Sequence, residues 1–325
     1  MRAALERKLN RIWYGPGRPG LGLNMLSALH GKMLGQRWHR PEAKPPLPVI
    51  VVGNLSAGGG GKTPVVIALA LHLGKAGHRV SVISRGYGGR RQLRPIQVGP
   101  DADPAEFGDE PVLIARTLGL PVWICVDRAA ALVAAHEAGA ELVISDDGLQ
   151  HRALPRSFEI CVIDGQRGLG NRRLLPAGPL RQPLARLDQV DQVLAKGAGF
   201  ECPGLLRYEL VAEALTRLDG SDPLCPKSWA GRQVDAVCGI ANPDSFFASL
   251  AALGLALRRH PKPDHHAFRA SDFSGLIGPI VVTAKDAVKL SGMAIEQETR
   301  VLSVRAGLPP QLLERVEQHL QEYQA

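Results

Sequence analysis

The sequence predicts an α/β fold: a parallel sheet covered on both faces, a second and smaller α/β unit after it, and an amphipathic helical arm before it. Three observations carry that prediction. From residue 49 onward, short apolar runs alternate with segments of helical periodicity, as buried parallel strands and their covering helices do. One of those runs feeds straight into a glycine loop that ends in Lys-Thr and opens a helix. The alternation then restarts after an extended stretch.

Taken in order, "PPLPVIVVGNL" gives a strand at Val49–Val52 entering the glycine loop, and a helix follows from about Pro64 to Ala76. Pro64 suits that helix's first turn, where a missing N–H costs nothing. Val80–Ser84 is the next strand, followed by the loop "RGYGG" and a helix from Pro111 to Leu118. "PVWICVD" is a strand, and Asp127 caps the alanine-rich helix after it. "ELVISDDG" is a strand that ends in two acids, and "FEICVIDG" and "VDQVLAKG" are two more. The Gly-, Pro- and Arg-rich residues 165–186 read as a long functional loop at the carboxyl edge of the sheet. The segmentation is an arm at 1–44, a core domain at 45–204, an extended linker at 205–218, and a C-terminal α/β domain at 219–325. That last domain holds "VDAVCGIANP", "GPIVVTAKDAVKL" and "TRVLSVRAG".

The chain's 325 residues suffice for two cores. Five scattered cysteines, never spaced Cys-x-x-Cys, argue against a disulfide framework or a structural zinc site and suit a reducing compartment. The net charge of +8 is unevenly placed. Residues 1–44 hold nine Lys/Arg against two Glu, which leaves +1 for the other residues. A nucleic-acid-binding face is therefore not expected. Within the arm, Leu21, Met25, Leu26, Leu29, Met33 and Leu34 recur at helical spacing, with Trp38 at the end and Lys32, Gln36 and Arg37 among the polar positions. The pattern allows a helix docked on the core or a helix lying on anionic lipid. No secretory-signal pattern and no apolar run near the roughly 20 residues of a spanning helix is present.

The chemistry centres on "GNLSAGGGGKTP". A phosphate loop is normally spelled Gly, four residues, Gly-Lys-Ser/Thr; here Ser56 stands where the first glycine is expected. A strand, glycines, Lys-Thr and a helix are nonetheless the context in which backbone N–H groups cradle phosphates. Gly58, Gly59, Gly60 and Gly61 let the backbone approach, Lys62 neutralises charge, and Thr63 offers a hydroxyl to Mg2+. A plain hinge would need no Lys-Thr, and Ala57 in place of a second lysine disfavours ParA-like ATPases. Asp146 and Asp147 end a strand where a metal-linked carboxylate stands in such proteins, although acids there also make turns and caps. In "GDEP", Asp109 or Glu110 is either a cap or a base for a hydroxyl proton. Asp264-His265-His266 lacks zincin spacing, so His265 acting with a carboxylate is preferred to a metal site. "TAKD" has Ala284 where a guanine-reading lysine would stand and gives no support to a GTPase.

Together, "VVGNLSAGGGGKTP", "VISRGYGG", "GDEP", "VDR", "ISDDGLQH", "IDGQRGLGNRRLLPAGPLRQP", "GIANPDSFF", "PDHHAF" and "TAKDAVKL" resemble one family across roughly residues 49–290. That family is the tetraacyldisaccharide 4'-kinases, the lipid A 4'-kinases of Gram-negative bacteria, in which Ser or Thr at the Ser56 position is normal. The resemblance implies a P-loop NTPase-like core. It also implies transfer of the ATP γ-phosphate to the 4'-hydroxyl of a tetraacylated glucosamine disaccharide 1-phosphate, on the cytoplasmic face of the inner membrane. The implied partners are that lipid and the anionic membrane surface, with no nucleic acid and no obligatory protein partner. The implied roles are phosphate binding by Ser56, Gly58–Gly61, Lys62 and Thr63, and metal binding by Thr63, Asp146 and Asp147. Asp109 is implied as general base with His265 assisting, Lys62 and Asp147 act beside them, and Glu110, Arg128, Gln150, His151, Asn171 and Arg181 contact substrate. Gln182 departs from the family's usual Glu, and Ala284 from its usual "TEKDAVK". The competing reading is a P-loop ATPase or switch acting on a protein.

Overall fold

A computed structural model of the protein describes residues 2–35 and 44–324. Gln36, Arg37 and Trp38 of the expected arm helix lie outside the described residues. The arm forms two helices, α1 (Arg2–Tyr14) and α2 (Leu21–Gly35), broken by the Pro/Gly run between them. α2 is docked, but through its polar residues. Ser27 Oγ donates to the Leu174 carbonyl at 2.8 Å, His30 Nδ1 lies 3.1 Å from the Leu175 carbonyl, and Arg173 donates to Asn24 Oδ1 at 2.7 Å. Leu21, Met25, Leu26, Leu29 and Met33 are left exposed, by 55 to 84%.

The core that follows is built from β1 (Val49–Gly53), α3 (Lys62–Lys75), β2 (Val80–Ser84), β3 (Ile96–Val98), α4 (Pro104–Phe107), α5 (Asp109–Leu118), β4 (Val122–Ile124), α6 (Arg128–Glu137), β5 (Leu142–Asp146), β6 (Phe158–Asp164) and β7 (Gln192–Lys196). After it come β8 (Leu206–Thr216), β9 (Gln233–Cys238), α7 (Pro243–Ala252), β10 (Ala256–Pro261), β11 (Ile280–Thr283), α8 (Ala284–Ala287), β12 (Thr299–Gly307) and α9 (Pro310–Gln324). One twelve-stranded sheet runs in the order β10-β9-β11-β12-β8-β7-β6-β1-β5-β2-β4-β3. β3 pairs antiparallel with β4 and β12 antiparallel with β8; the other ladders are parallel.

β8 occupies the stretch read as a linker. Its first residues, Leu206–Tyr208, run parallel to β7, while Glu209–Thr216 pair with β12, so one strand belongs to both parts of the sheet. β1 is buried throughout between β5 and β6, which explains its unbroken apolar run. α3 buries Val65, Val66, Leu69, Ala70 and Leu73 against that face; each larger side chain contributes about 1.5–3 kcal/mol of burial. Leu312, Val316 and Leu320 of α9 return to the same core cluster.

Two helices start earlier than their prolines suggested, α3 at Lys62 and α5 at Asp109. Pro64 and Pro111 each take the third position, where the amide still lacks an intrahelical acceptor. Asp127 caps α6 as expected, accepting from the Ala129 and Ala130 amides.

Candidate active site

The carboxyl ends of the parallel strands open into one cavity of about 860 Å³. Its floor is the glycine loop between β1 and α3. Ser56 forms a bridge with Leu180, and the Ala57 amide donates to the Pro179 carbonyl at 2.7 Å, so the unusual residue is the foot of the loop and does not line the cavity. Gly58 and Gly61 hold φ of +99° and +83°. A Cβ on Gly61 would collide with the Tyr208 hydroxyl, which itself donates to the Gly61 carbonyl at 2.9 Å. Tyr208 thus locks the loop from β8. Asn54 braces the other side, donating to the Gly58 carbonyl at 3.2 Å and accepting from Lys62 Nζ at 3.3 Å.

The two acids after β5 part company. Asp147, at φ +49°, meets Lys62 at 3.4 Å and Arg181 at 2.9 Å, and the buried Arg128 donates to its carbonyl at 2.6 Å. Burial would raise its pKa, but Lys62 and Arg181 prevail and hold the carboxyl well below the usual range. Asp146 is buried, and neither of its oxygens has a hydrogen-bond partner. Burial, reinforced by the Glu110 charge and opposed by Lys62, pushes its carboxyl up to about 7. A buried carboxylate without a donor, beside a cavity lined by Thr63, fits a cation that arrives with a ligand. No cluster of three or more acidic, His or Cys side chains is set to hold a metal among the described residues.

A second constellation meets the same cavity. Gly108 takes the N-cap position of α5, so Asp109 and Glu110 fall in the helix's first turn and neither caps it. Asp109 is only 4% exposed, with Oδ2 3.0 Å from His265 Nδ1 and Oδ1 accepting from the Glu110 amide. Burial favours its neutral form, but the His265 hydrogen bond and the charges of Lys285 and Lys289 outweigh that and lower its pKa. His265, at φ +57°, lines the cavity while Asp109 sits behind it. Lys285 donates to Glu110 Oε1 at 2.8 Å and reaches within 3.5 Å of His265 Nε2. His266 instead pairs with Asp272 at 2.9 Å, apart from the cavity lining.

Of the expected site residues, Gly58–Gly61, Lys62, Thr63, Glu110, Arg128, Asp146, Asp147, Gln150, His151, Arg181 and His265 line this one cavity. Asn171 does not. Its side-chain amide donates to the Ile12 and Ala177 carbonyls and its backbone amide to the Trp13 carbonyl, so it fastens α1 to the 165–186 loop. Gln182 is buried and accepts from Gln150 at 3.1 Å. Sequence reasoning missed Asn54, Tyr208, Lys285 and Lys196. The last pairs with Asp164 at 2.8 Å, which Asn242 of the C-terminal half also binds at 2.9 Å. Lys196 closes β7 at the carboxyl edge, and that position was the signal available for it.

A strand-loop-helix phosphate cradle with a neighbouring buried acid and a carboxylate–imidazole pair facing it defines a P-loop nucleotide site equipped to transfer a phosphoryl group. A profile of the family described as tetraacyldisaccharide-1-P 4'-kinase matches residues 21–321, and the chain belongs to that family. The chain is 46% identical over 288 residues to a tetraacyldisaccharide 4'-kinase of Halorhodospira halophila, covering 86% of each chain. It is 44% identical to that of Alcanivorax borkumensis, covering 94% of this chain and 92% of the relative. Among solved structures it resembles LpxK from Aquifex aeolicus in complex with ATP, with a TM-score of 0.74 and 30% identity over 92% of this chain and 98% of the other.

Proposed function

We propose that this cavity performs the family's reaction through the groups just described, with the donor phosphates on the glycine loop and the acceptor hydroxyl at His265. The reaction is transfer of the ATP γ-phosphate to the 4'-hydroxyl of a tetraacyl glucosamine disaccharide 1-phosphate, giving lipid IVA in lipid A synthesis. The observation that carries the mechanistic reading is that the phosphate cradle and His265, backed by the buried Asp109, line one cavity.

With Nδ1–H donating to Asp109, His265 presents its Nε2 lone pair, which Lys285 Nζ approaches within 3.5 Å, as the group that takes the hydroxyl proton. The acceptor oxygen then bonds to the γ-phosphorus as the bond to the β–γ bridging oxygen breaks and ADP departs. Lys62, Arg128 and Arg181 supply the positive charge that such a transition state needs. Asp146 and Thr63 are the residues that would hold Mg2+, because Asp147 is committed to Lys62 and Arg181. Held there, Mg2+ would supply positive charge to the donor's phosphates. Glu110 holds Lys285, Gln150 and His151 line the cavity, and Ser56 and Asn171 act by positioning the loop and the arm. Residues 45–204 and 219–325 act as two lobes joined through 205–218.

The exposed apolar residues of α2 and the basic arm would place the enzyme on an anionic membrane surface, at the cytoplasmic face of the inner membrane. Among the described residues, no helix is long and apolar enough to cross a membrane. The test is a radiolabelled ATP assay with the disaccharide 1-phosphate lipid, followed by mapping of the phosphorylated hydroxyl. Label at the 4'-position is expected. Turnover that ignores the lipid and responds to a protein would instead indicate an ATPase or switch.

A further inference from the structure

We propose that residues 85–94, "RGYGGRRQLR", form a second contact with the anionic membrane surface, on the sheet edge whose 165–186 loop also holds α2. The inference rests on the membrane reading above and assigns to it residues outside the arm. Four arginines fall within these ten residues, and no acid occurs from Arg85 to Pro100, although residues 45–325 together carry a net charge of only +1. Arg85, Arg90, Arg91 and Arg94 are all exposed, and none pairs with a carboxylate among the described residues. Between them stand two large apolar side chains that the fold leaves in solvent, Tyr87 at 60% and Leu93 at 73% exposure.

Among the described residues these side chains have no polar partner, but the backbone is tethered. The Arg90 amide donates to the Glu106 carbonyl at 2.7 Å, and the Val126 amide donates to the Gln92 carbonyl at 2.9 Å. A tethered loop presents these groups from a backbone that is already ordered, which lowers the cost of binding. Its position matters as much as its composition. It follows β2, and the 165–186 loop that carries α2 follows β6; both strands are parallel to β1, so both loops leave the same edge of the sheet. Arg85 and Tyr87 also line the cavity mouth. Cations interleaved with an aromatic ring and a leucine match the interface of an anionic bilayer, where charge is attracted and amphipathic rings settle. Two contacts on the edge of the sheet into which the cavity opens would turn it toward the lipid surface, where an acylated acceptor resides.

The experiment uses the full chain and vesicles of phosphatidylcholine alone or mixed with phosphatidylglycerol. In Arg90→Gln/Arg91→Gln/Arg94→Gln, binding to the mixed vesicles is expected to fall about fivefold per arginine, or roughly 10^2-fold in all. kcat and KM on detergent-dispersed lipid should stay as in the parent, and high salt should bring the parent down to the variant. Leu93→Ser should weaken binding less, in a way that salt does not reproduce. If the parent itself ignores anionic vesicles, the membrane reading fails and this inference falls with it. If the parent binds and the triple variant binds equally well, only the loop assignment is overturned. An equal rise in KM on detergent-dispersed lipid would overturn it in favour of a contact with the substrate's own phosphate.

Discussion

At the glycine-loop end of the cavity, Asp146 is buried with neither carboxylate oxygen bonded, whereas at the His265 end each charge already has a partner within a few ångströms. The first end is complete only when a nucleotide and its cation arrive. The second is assembled beforehand: Asp109 holds His265, Glu110 holds Lys285, and Lys289 lies 3.8 Å from Asp109. The contrast follows from what each end does. Charge arriving with a ligand can be matched by groups left unsatisfied until then. A proton acceptor must have its tautomer and orientation set before the hydroxyl reaches it.

The largest expected effect comes from breaking the assembled end. Asp109→Ala should lower kcat by about 10^3-fold while the Kd for ATP stays near the parent value, because Asp109 lies behind His265 and does not line the nucleotide cradle. Asp109→Asn should do nearly as much damage, since an amide can offer its N–H to Nδ1 and favour the wrong imidazole tautomer. A parental kcat in either variant would remove the pair from the mechanism. At the other end, Lys62→Ala should lower turnover by at least about 10^2-fold, because the lost charge contact matters most in the transition state. Unimpaired turnover would reduce the glycine loop to a scaffold.

The two ends also differed in how far they could be read from sequence. The glycine loop was legible because its chemistry is local: strand, glycines, Lys-Thr and helix are contiguous, and the alternation around them gives the parallel sheet. Asp146 and Asp147 were legible as a pair, but not their division of labour, which depends on Arg181 arriving from 34 residues downstream. The Asp109–His265 pair joins residues 156 positions apart. Sequence offered the two residue types, and only the fold shows that Asp109 is the buried one. β8 was read as a linker because it alternates weakly, being half-buried along most of its length. Tyr208 was missed for the same reason. Asn171 was misread because a polar residue inside a Gly/Pro/Arg loop looks the same whether it faces a ligand or fastens a helix.

A smaller effect sharpens the claim that Asp146 is held at a cost. At a pH above 7 its ionised form is buried without a partner, so Asp146→Asn should stabilise the ligand-free protein by about 1 kcal/mol, a rise of roughly 2–4 °C in Tm. The same variant should lose most of the further rise that ATP with Mg2+ gives the parent, since the site then lacks the charge that receives the cation. A lower Tm for the ligand-free variant would mean that the carboxylate is satisfied in the folded protein and that the two ends are built alike.

Tyr208→Phe is the mildest test and the most selective. The change removes one hydroxyl and its hydrogen bond to the half-buried Gly61 carbonyl, a loss of about 0.5–1.5 kcal/mol. The ring still packs in the core, so the fold should stand. Gly61 is the N-cap of α3 and immediately precedes Lys62, so a loosened carbonyl lets the cradle depart from its left-handed turn before phosphate arrives. That cost falls on nucleotide binding: KM for ATP should rise severalfold. kcat should change little, because the bound phosphates re-form the loop and Asp109–His265 is untouched. A fall in kcat at parental KM would show that Tyr208 acts on the chemistry through β8, and that the two ends of the cavity are coupled through the strand that both halves of the sheet share.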